Sequence, residues 1–295
     1  KTVYPVASCN DKDFQNLMDV YMDAVLHPNI YKHEEIFRQE GWNYHLEEAD
    51  GELSYNGVVY NEMKGAFSSP DGVLDRMILN SLFPDTTYAN ESGGDPDVIP
   101  ELTYEEYLNF HRTYYHPSNS YIYLYGNMDM EEKLAFLDEH YLSHFDYLDV
   151  DSVIQEQKEF GACRDVTLEY PVAENEGEED NTYLSYNMVV GNAADSQMAM
   201  AFEVLDYALL SAPGAPLKQA LLDVKAGKDV YGSYDDGILQ PYFTVIAKGS
   251  NPDRKEEFVS VIRQVLGDIV KNGIDRKAVE AGINYFEFRY READF

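Results

Sequence analysis

The stretch NGVVYNEMKG, residues Asn56 to Gly65, sets a carboxylate among small apolar side chains. Written as a helix, it puts Glu62 on one face with Val58, Val59, Gly65 and Ala66, at i±3 and i±4 spacing. Lys64, two residues on, points elsewhere, and no lysine or arginine stands three or four residues from Glu62. If that face looks into a core, the charge is costly unless something pairs with it. A backbone amide, an arginine from elsewhere in the fold, or a metal ion would each serve. The reading therefore predicts an inward-facing Glu62.

Working outward, the flanking sequence alternates helical and strand patterns. Thr2 to Ser8 (TVYPVAS) reads as a strand. Asn10 or Asp11 then caps a helix whose Phe14, Leu17, Met18, Tyr21 and Val25 recur at helical period. A second helix, His33 to Glu40, stops at Gly41, and Trp42 to Leu46 alternates like a strand. Pro70 ends the Glu62 helix, and Gly72 to Phe83 forms the next. Thr103 and Glu106 spell a capping box for a helix to Tyr115. Tyr121 to Tyr125 (YIYLY) reads as a continuous apolar strand, whose rings are expected in a core in preference to an aromatic binding platform. Met130 to Phe145 is helical.

Asp146 to Gly161 is rich in acids and poor in core residues, which places a domain boundary there: residues 1–150 and 151–295. Beyond it, Val166 to Tyr170 and Thr182 to Val190 read as strands, separated by a solvated acidic turn, Glu174 to Asp180. Gln197 to Leu210 is a helix. Val230 to Tyr234 and Tyr242 to Ala247 are strands, Arg254 to Lys271 is an amphipathic helix, and Asp275 caps the last one. The two parts share a layout, as a duplicated α+β unit would.

With 54 acids against 22 bases the formal net charge is −32, which argues against nucleic-acid binding, since phosphate contacts need basic surface. The same charge attracts cations and basic peptides. No apolar run approaches the ~18 residues that would span a bilayer. Cys9 and Cys163 form no CxxC and neighbour no histidine, so each is expected as a buried structural thiol in a reducing compartment, and the expected location is the cytoplasm. None of the seven histidines begins HExxH or HxxEH. The single i, i+4 pair is His140 and His144 in HYLSH, which lacks a glutamate after His140 to act as base. Gly93 and Gly94 in SGGDP serve either a close backbone approach to a ligand or, more simply, a tight turn.

The order of these motifs is informative as a set. YPVAS (Tyr4 to Ser8), DFQNLMDVYMDAVLHP (Asp13 to Pro28), FRQEGW (Phe37 to Trp42), GVVYNEMKG (Gly57 to Gly65), SGGDP (Ser92 to Pro96), LTYEEYLNFHRTYYHPSN (Leu102 to Asn119) and YLYG (Tyr123 to Gly126) stand in succession. Together they resemble the pitrilysin or insulinase family of zinc metallopeptidases, family M16. The branch of the mitochondrial and chloroplast presequence proteases and their bacterial relatives resembles them most. The likeness is dense from Thr2 to Gly126 and weakens after Val150, although INYFEFRYREADF (Ile283 to Phe295) also looks like that branch.

The resemblance implies an α+β fold of two αβ-roll domains, each an antiparallel-rich sheet with helices packed on one side. Domain one, 1–150, would be the peptidase domain without its HxxEH segment, truncated at its amino end. Domain two, 151–295, would be a structural repeat. It implies zinc held by two histidines of HxxEH and by a glutamate from a later helix, a position that Glu62 occupies here. Metal-bound water would then attack the scissile carbonyl of short unfolded peptides in an enclosed chamber. HxxEH lies upstream of YPVAS in the family and is absent here. The chain by itself is therefore expected to hold no catalytic zinc and to hydrolyse nothing, with no catalytic residue of its own. Expected partners are peptides, basic ones by charge, and the carboxy-terminal half of the same parent chain; nucleic acid and membrane are not expected. A eukaryotic parent would be mitochondrial or plastid. The alternative is a non-catalytic homologue that binds peptides or serves as a structural subunit.

Overall fold

The computed structural model describes residues 2–172 and 177–293. The chain divides into two compact units, Lys1–Phe67 with Glu91–Val153, and Ser68–Asn90 with Ile154–Phe295. Residues 68–90 therefore belong with the later half of the chain.

The first unit begins with α1 (Asp11–Leu26), whose cap Asn10 accepts the Asp13 N–H at 3.0 Å. Helix α2 (Glu34–Glu40) ends where the Gly41 N–H donates to the Phe37 carbonyl. A short antiparallel hairpin follows, β1 (Asn43–His45) and β2 (Ser54–Asn56), with Tyr44 opposite Tyr55. Then comes α3 (Val58–Ala66). After α4 (Pro70–Leu82), a member of the second unit, the chain returns for α5 (Tyr104–Tyr114) and α6 (Met130–His140). Thr103 and Glu106 close the capping box of α5 in both directions. Phe37, Trp42 and Ile99 form a buried core with Tyr60, Met63 and Tyr104 packed against it. Each large side chain withdrawn from water there contributes about 1.5–3 kcal/mol. The buried indole is satisfied as well, Trp42 Nε1 donating to the Leu102 carbonyl at 2.9 Å.

The second unit holds β3 (Thr182–Val189), α7 (Ser196–Asp206), α8 (Pro216–Asp223), β4 (Asp229–Asp235), β5 (Tyr242–Ser250), α9 (Lys255–Asn272) and α10 (Arg276–Glu292). Its sheet is antiparallel in the order β3-β5-β4. Alternation along β5 divides the core. Phe243, Val245 and Ala247 join Leu217, Leu221, Phe258 and Ile262 from α8 and α9 on one face. Ile246, on the other face, meets Ile78, Leu82 and Phe83 at the end of α4. A single turn of the wider π type, Tyr207–Ser211, continues α7 and buries Ala208, Leu209 and Leu210.

The mixed α+β class and its antiparallel sheets agree with the sequence reading, but three segments do not. Thr2 to Ser8, Tyr121 to Tyr125 and Val166 to Tyr170 are apolar enough for strands, yet none pairs in a ladder among the described residues. A strand exists through hydrogen bonds to a neighbour, which side-chain composition does not supply. Cys9 and Cys163 are both exposed, not buried. Each falls in an irregular segment outside any apolar stripe, so nothing draws the thiol inward. The helix expected to reach Phe145 stops at His140 and gives way to a 3₁₀ turn, Leu142–His144. Residues 174–176 of the expected acidic turn lie outside the described residues.

Candidate functional site

Helix α3 is set by two glycines. Gly57 has φ +146°, and a Cβ there would fall 2.2 Å from the Gly41 carbonyl oxygen and 2.7 Å from Trp42 Cα. Only glycine lets the start of α3 press so closely on the end of α2. The Tyr60 N–H donates to that same Gly41 carbonyl at 3.3 Å, and Asn61 Nδ2 donates to Asn56 Oδ1 at 2.7 Å. Tyr60 and Met63 then point into the core of Phe37, Trp42 and Ile99. Gly93 packs on the other side of Met63, where a Cβ would lie 2.2 Å from the sulfur. Gly94, at φ +93°, donates its N–H to the Glu91 carbonyl. SGGDP is thus a turn fitted against α3.

Glu62 lies on the opposite side of that helix and is exposed, together with Val58, Val59, Gly65 and Ala66. The inward-facing glutamate expected from the sequence is not what the structure shows. Helix α3 carries two stripes, and the bulkier one, Tyr60 with Met63, withdraws more area from water and takes the core. No described residue pairs with the Glu62 carboxylate. In front of Gly65 the space is open, since an added Cβ meets no heavy atom within 4 Å.

The remaining metal-ligand candidates are dispersed. His140 closes α6 and stacks on Phe136 at 4.5 Å, whereas His144 sits in the following 3₁₀ turn, so the pair in HYLSH does not share a helix face. His111 is occupied at both nitrogens, Nδ1 with the Tyr31 hydroxyl at 2.7 Å and Nε2 with the Val25 carbonyl at 2.9 Å. His116 Nδ1 accepts the Ser118 N–H at 3.1 Å. Nowhere among the described residues do three His, Cys, Asp or Glu side chains converge. A catalytic zinc takes three protein ligands, so Glu62 with its present neighbours does not make a complete centre.

The rings of Tyr121 to Tyr125, expected in a core, are not there. Tyr121 is fully exposed and Tyr123 and Tyr125 are 84% and 83% exposed, while Leu124 between them is half-buried. The signal was in the alternation Tyr-Ile-Tyr-Leu-Tyr, which puts three rings on one side and two aliphatics on the other.

The family model described as Peptidase M16 inactive domain matches residues 101–286. Protein HypA of Clostridium perfringens is 54% identical over 295 residues, 100% of this chain and 30% of that protein. Presequence protease 1, chloroplastic/mitochondrial, of Arabidopsis thaliana is 40% identical, over 99% of this chain and 27% of its own length. The chain thus spans less than a third of these relatives. Among solved structures, the periplasmic protease PqqL from Escherichia coli superposes with a TM-score of 0.55 at 13% identity, covering 98% of this chain and 30% of that one. A peptidase M16 inactive domain from Pseudomonas fluorescens does so with a TM-score of 0.54 at 15% identity, over 80% and 56%. At such identities these two establish the fold alone.

Proposed function

This chain belongs to the peptidase M16 family, and on that premise we propose that it is part of a zinc-dependent endopeptidase to which it contributes one metal ligand, Glu62. The observation that carries the reading is the open face of α3. A carboxylate without a partner stands among Val58, Val59, Gly65 and Ala66, on a helix whose position is fixed from behind by Gly57 and Met63. Small residues around a charge leave room for another element to approach and complete a site. The zinc, when bound, supplies a Lewis acid and an activated water. The part of this chain is to hold and orient a carboxylate toward it. Short unfolded peptides are the proposed substrates, degraded in a chamber formed with the carboxy-terminal half of the parent. The isolated chain is inactive on this reading, because its described residues offer one ligand where three are needed. The site of action is the cytoplasm, or the mitochondrion or plastid of a eukaryote.

The test is Glu62→Gln in the full-length parent. Zinc content and peptide cleavage should fall together, with zinc affinity lower by ~10-fold or more, while the circular dichroism spectrum is unchanged. Unaltered zinc occupancy would overturn the assignment. A second reading, a peptide-binding or structural subunit without catalysis, is favoured by the match to an inactive domain. An HxxEH motif in the rest of the parent sequence decides against it.

A further inference from the structure

We propose that Asp206 and Ser211 form a proton-operated staple across the π turn at the end of α7, which seats helix α10 while the carboxyl is neutral and loosens it once the carboxyl is charged. The proposal goes beyond the peptidase reading and does not rest on it.

The turn is closed by the Ala212 N–H, which donates at 2.7 Å to the Tyr207 carbonyl and so spans one residue more than an α-helical bond does. The extra residue changes which side chains face where. Leu209 and Leu210 enter the core of the sheet, and Tyr207 meets α10. There Tyr285 stacks on Tyr207 at 5.1 Å, and Gly282 comes so near that a Cβ would lie 3.2 Å from Tyr207 Cδ1 and 3.2 Å from Val204 Cγ1. Side chains bridge the turn as well, the Ser211 hydroxyl donating to Asp206 Oδ2 at 3.2 Å. The other oxygen, Asp206 Oδ1, is buried and has no hydrogen-bond partner among the described residues. This chain's own residues do the burying, so the parts of a longer parent can add to the enclosure but do not create it.

A carboxylate shut away from water is costly without partners, and a neutral carboxyl much less so. With a proton on Oδ2 the bond reverses, Asp206 donating and Ser211 Oγ accepting, and Oδ1 is left as an uncharged carbonyl oxygen. Burial raises the Asp206 carboxyl above the usual carboxylate range, against a smaller opposing effect of the Ser211 hydroxyl. Charged groups of the elements packed on the turn are engaged elsewhere. On α7 itself Glu203 accepts the Tyr290 hydroxyl at 2.6 Å, and on α8 Lys218 pairs with Asp229 of β4 at 3.7 Å. On α10 Arg276 pairs with Glu280 at 2.8 Å, and Arg289 stands over the Tyr285 ring at 5.8 Å. A raised carboxyl stabilises below its unfolded pKa, about 4, and loses that contribution as pH rises through the folded one. The staple is therefore closed in acid and under load near neutrality, and α10 is the element that loosens as pH rises.

The experiment uses the 295-residue chain and follows the amides of Ala212 and of residues 282–286 by hydrogen–deuterium exchange, as protection relative to the unstructured rate at each pH. In the unsubstituted chain protection should fall about tenfold or more between roughly pH 4 and roughly pH 8, in one titration. Asp206→Asn, neutral throughout, should remove the fall, while the amides of β5 behave alike in both proteins. Ser211→Ala deletes the hydroxyl that favours the charged form, and should move the midpoint to higher pH. It also decides the matter if Asp206→Asn misfolds by circular dichroism. Protection that does not change with pH, the same fall in Asp206→Asn, or a midpoint that Ser211→Ala leaves in place or moves down each overturns the proposal. So does loss of protection in β5 in step with α10, since the whole unit then opens and α10 is not released alone. Hydrogen exchange reads neither zinc nor peptide cleavage, so the outcome is independent of the Glu62 assignment.

Discussion

The Asp71 carboxylate accepts a hydrogen bond from Lys248 Nζ at 2.7 Å, so helix α4 is ion-paired to the central strand β5. The Tyr231 hydroxyl donates to the other oxygen of Asp71 at 3.2 Å. The Lys248 hydrogen bond, with the lysine's charge behind it, holds the Asp71 carboxyl below the usual carboxylate range. The same bond raises Lys248 above the usual ammonium range. Burial first, and the Asp71 charge second, push the Tyr231 phenol up to about 12.

Asp71→Asn should lower stability by about 1 kcal/mol, since both partners of the pair are half-exposed and screened. The contribution has a pH window. A depressed carboxyl stabilises above its unfolded pKa and loses that effect as pH falls through its folded one; a raised ammonium stabilises below its unfolded pKa and loses it as pH rises. The pair therefore acts from roughly pH 4 to pH 10. Urea midpoints of parent and variant should differ across that range and converge at pH 2.

Phe83 is fully buried, against Tyr88 and Tyr242 at ring separations of 5.8 Å and 6.2 Å. Phe83→Ala should cost about 3–5 kcal/mol through the cavity it leaves. Thermal unfolding followed by circular dichroism checks this, and a loss below 1 kcal/mol would mean that α4 is not seated on the sheet as described.

Gly57→Ala forces a methyl group into the Gly41 carbonyl, at a backbone angle that alanine avoids. The start of α3 must lift from α2. The amides of Tyr60 and Asn61 should exchange with deuterium at least tenfold faster than in the parent, while those of β5 stay protected.

Cys9 and Cys163 are both exposed. Two thiols should react with a disulfide reagent in the native protein, without denaturant. Fewer than two would show that one is covered.

Helix starts were the most legible part of the sequence, because a cap is a local contract between residues two or three apart. Asn10 with Asp13, Thr103 with Glu106 and Asp275 with Lys277 all stand as the sequence indicates. The strands β1, β3, β4 and β5 were legible too, near their observed bounds. What failed was non-local. YIYLY and VTLEY have strand composition, but pairing depends on a neighbour that no local pattern encodes. The direction of Glu62 failed for a related reason: α3 offers two apolar stripes, and the choice between them was made by Phe37, Trp42 and Ile99, distant in sequence. Nothing in residues 68–90 announces that they side with the later half; that follows from Ile78, Leu82 and Phe83 meeting Ile246.

The allegiance of α4 governs how this polypeptide comes apart. Severing it after Val153 would not yield two self-sufficient pieces. The earlier piece would carry a greasy helix with no sheet beneath it, and the later piece would present Ile246 and Tyr231 bare. A soluble later half has to be given back its 68–90 segment, by co-expression or by grafting it through a new linker, before it can be studied alone.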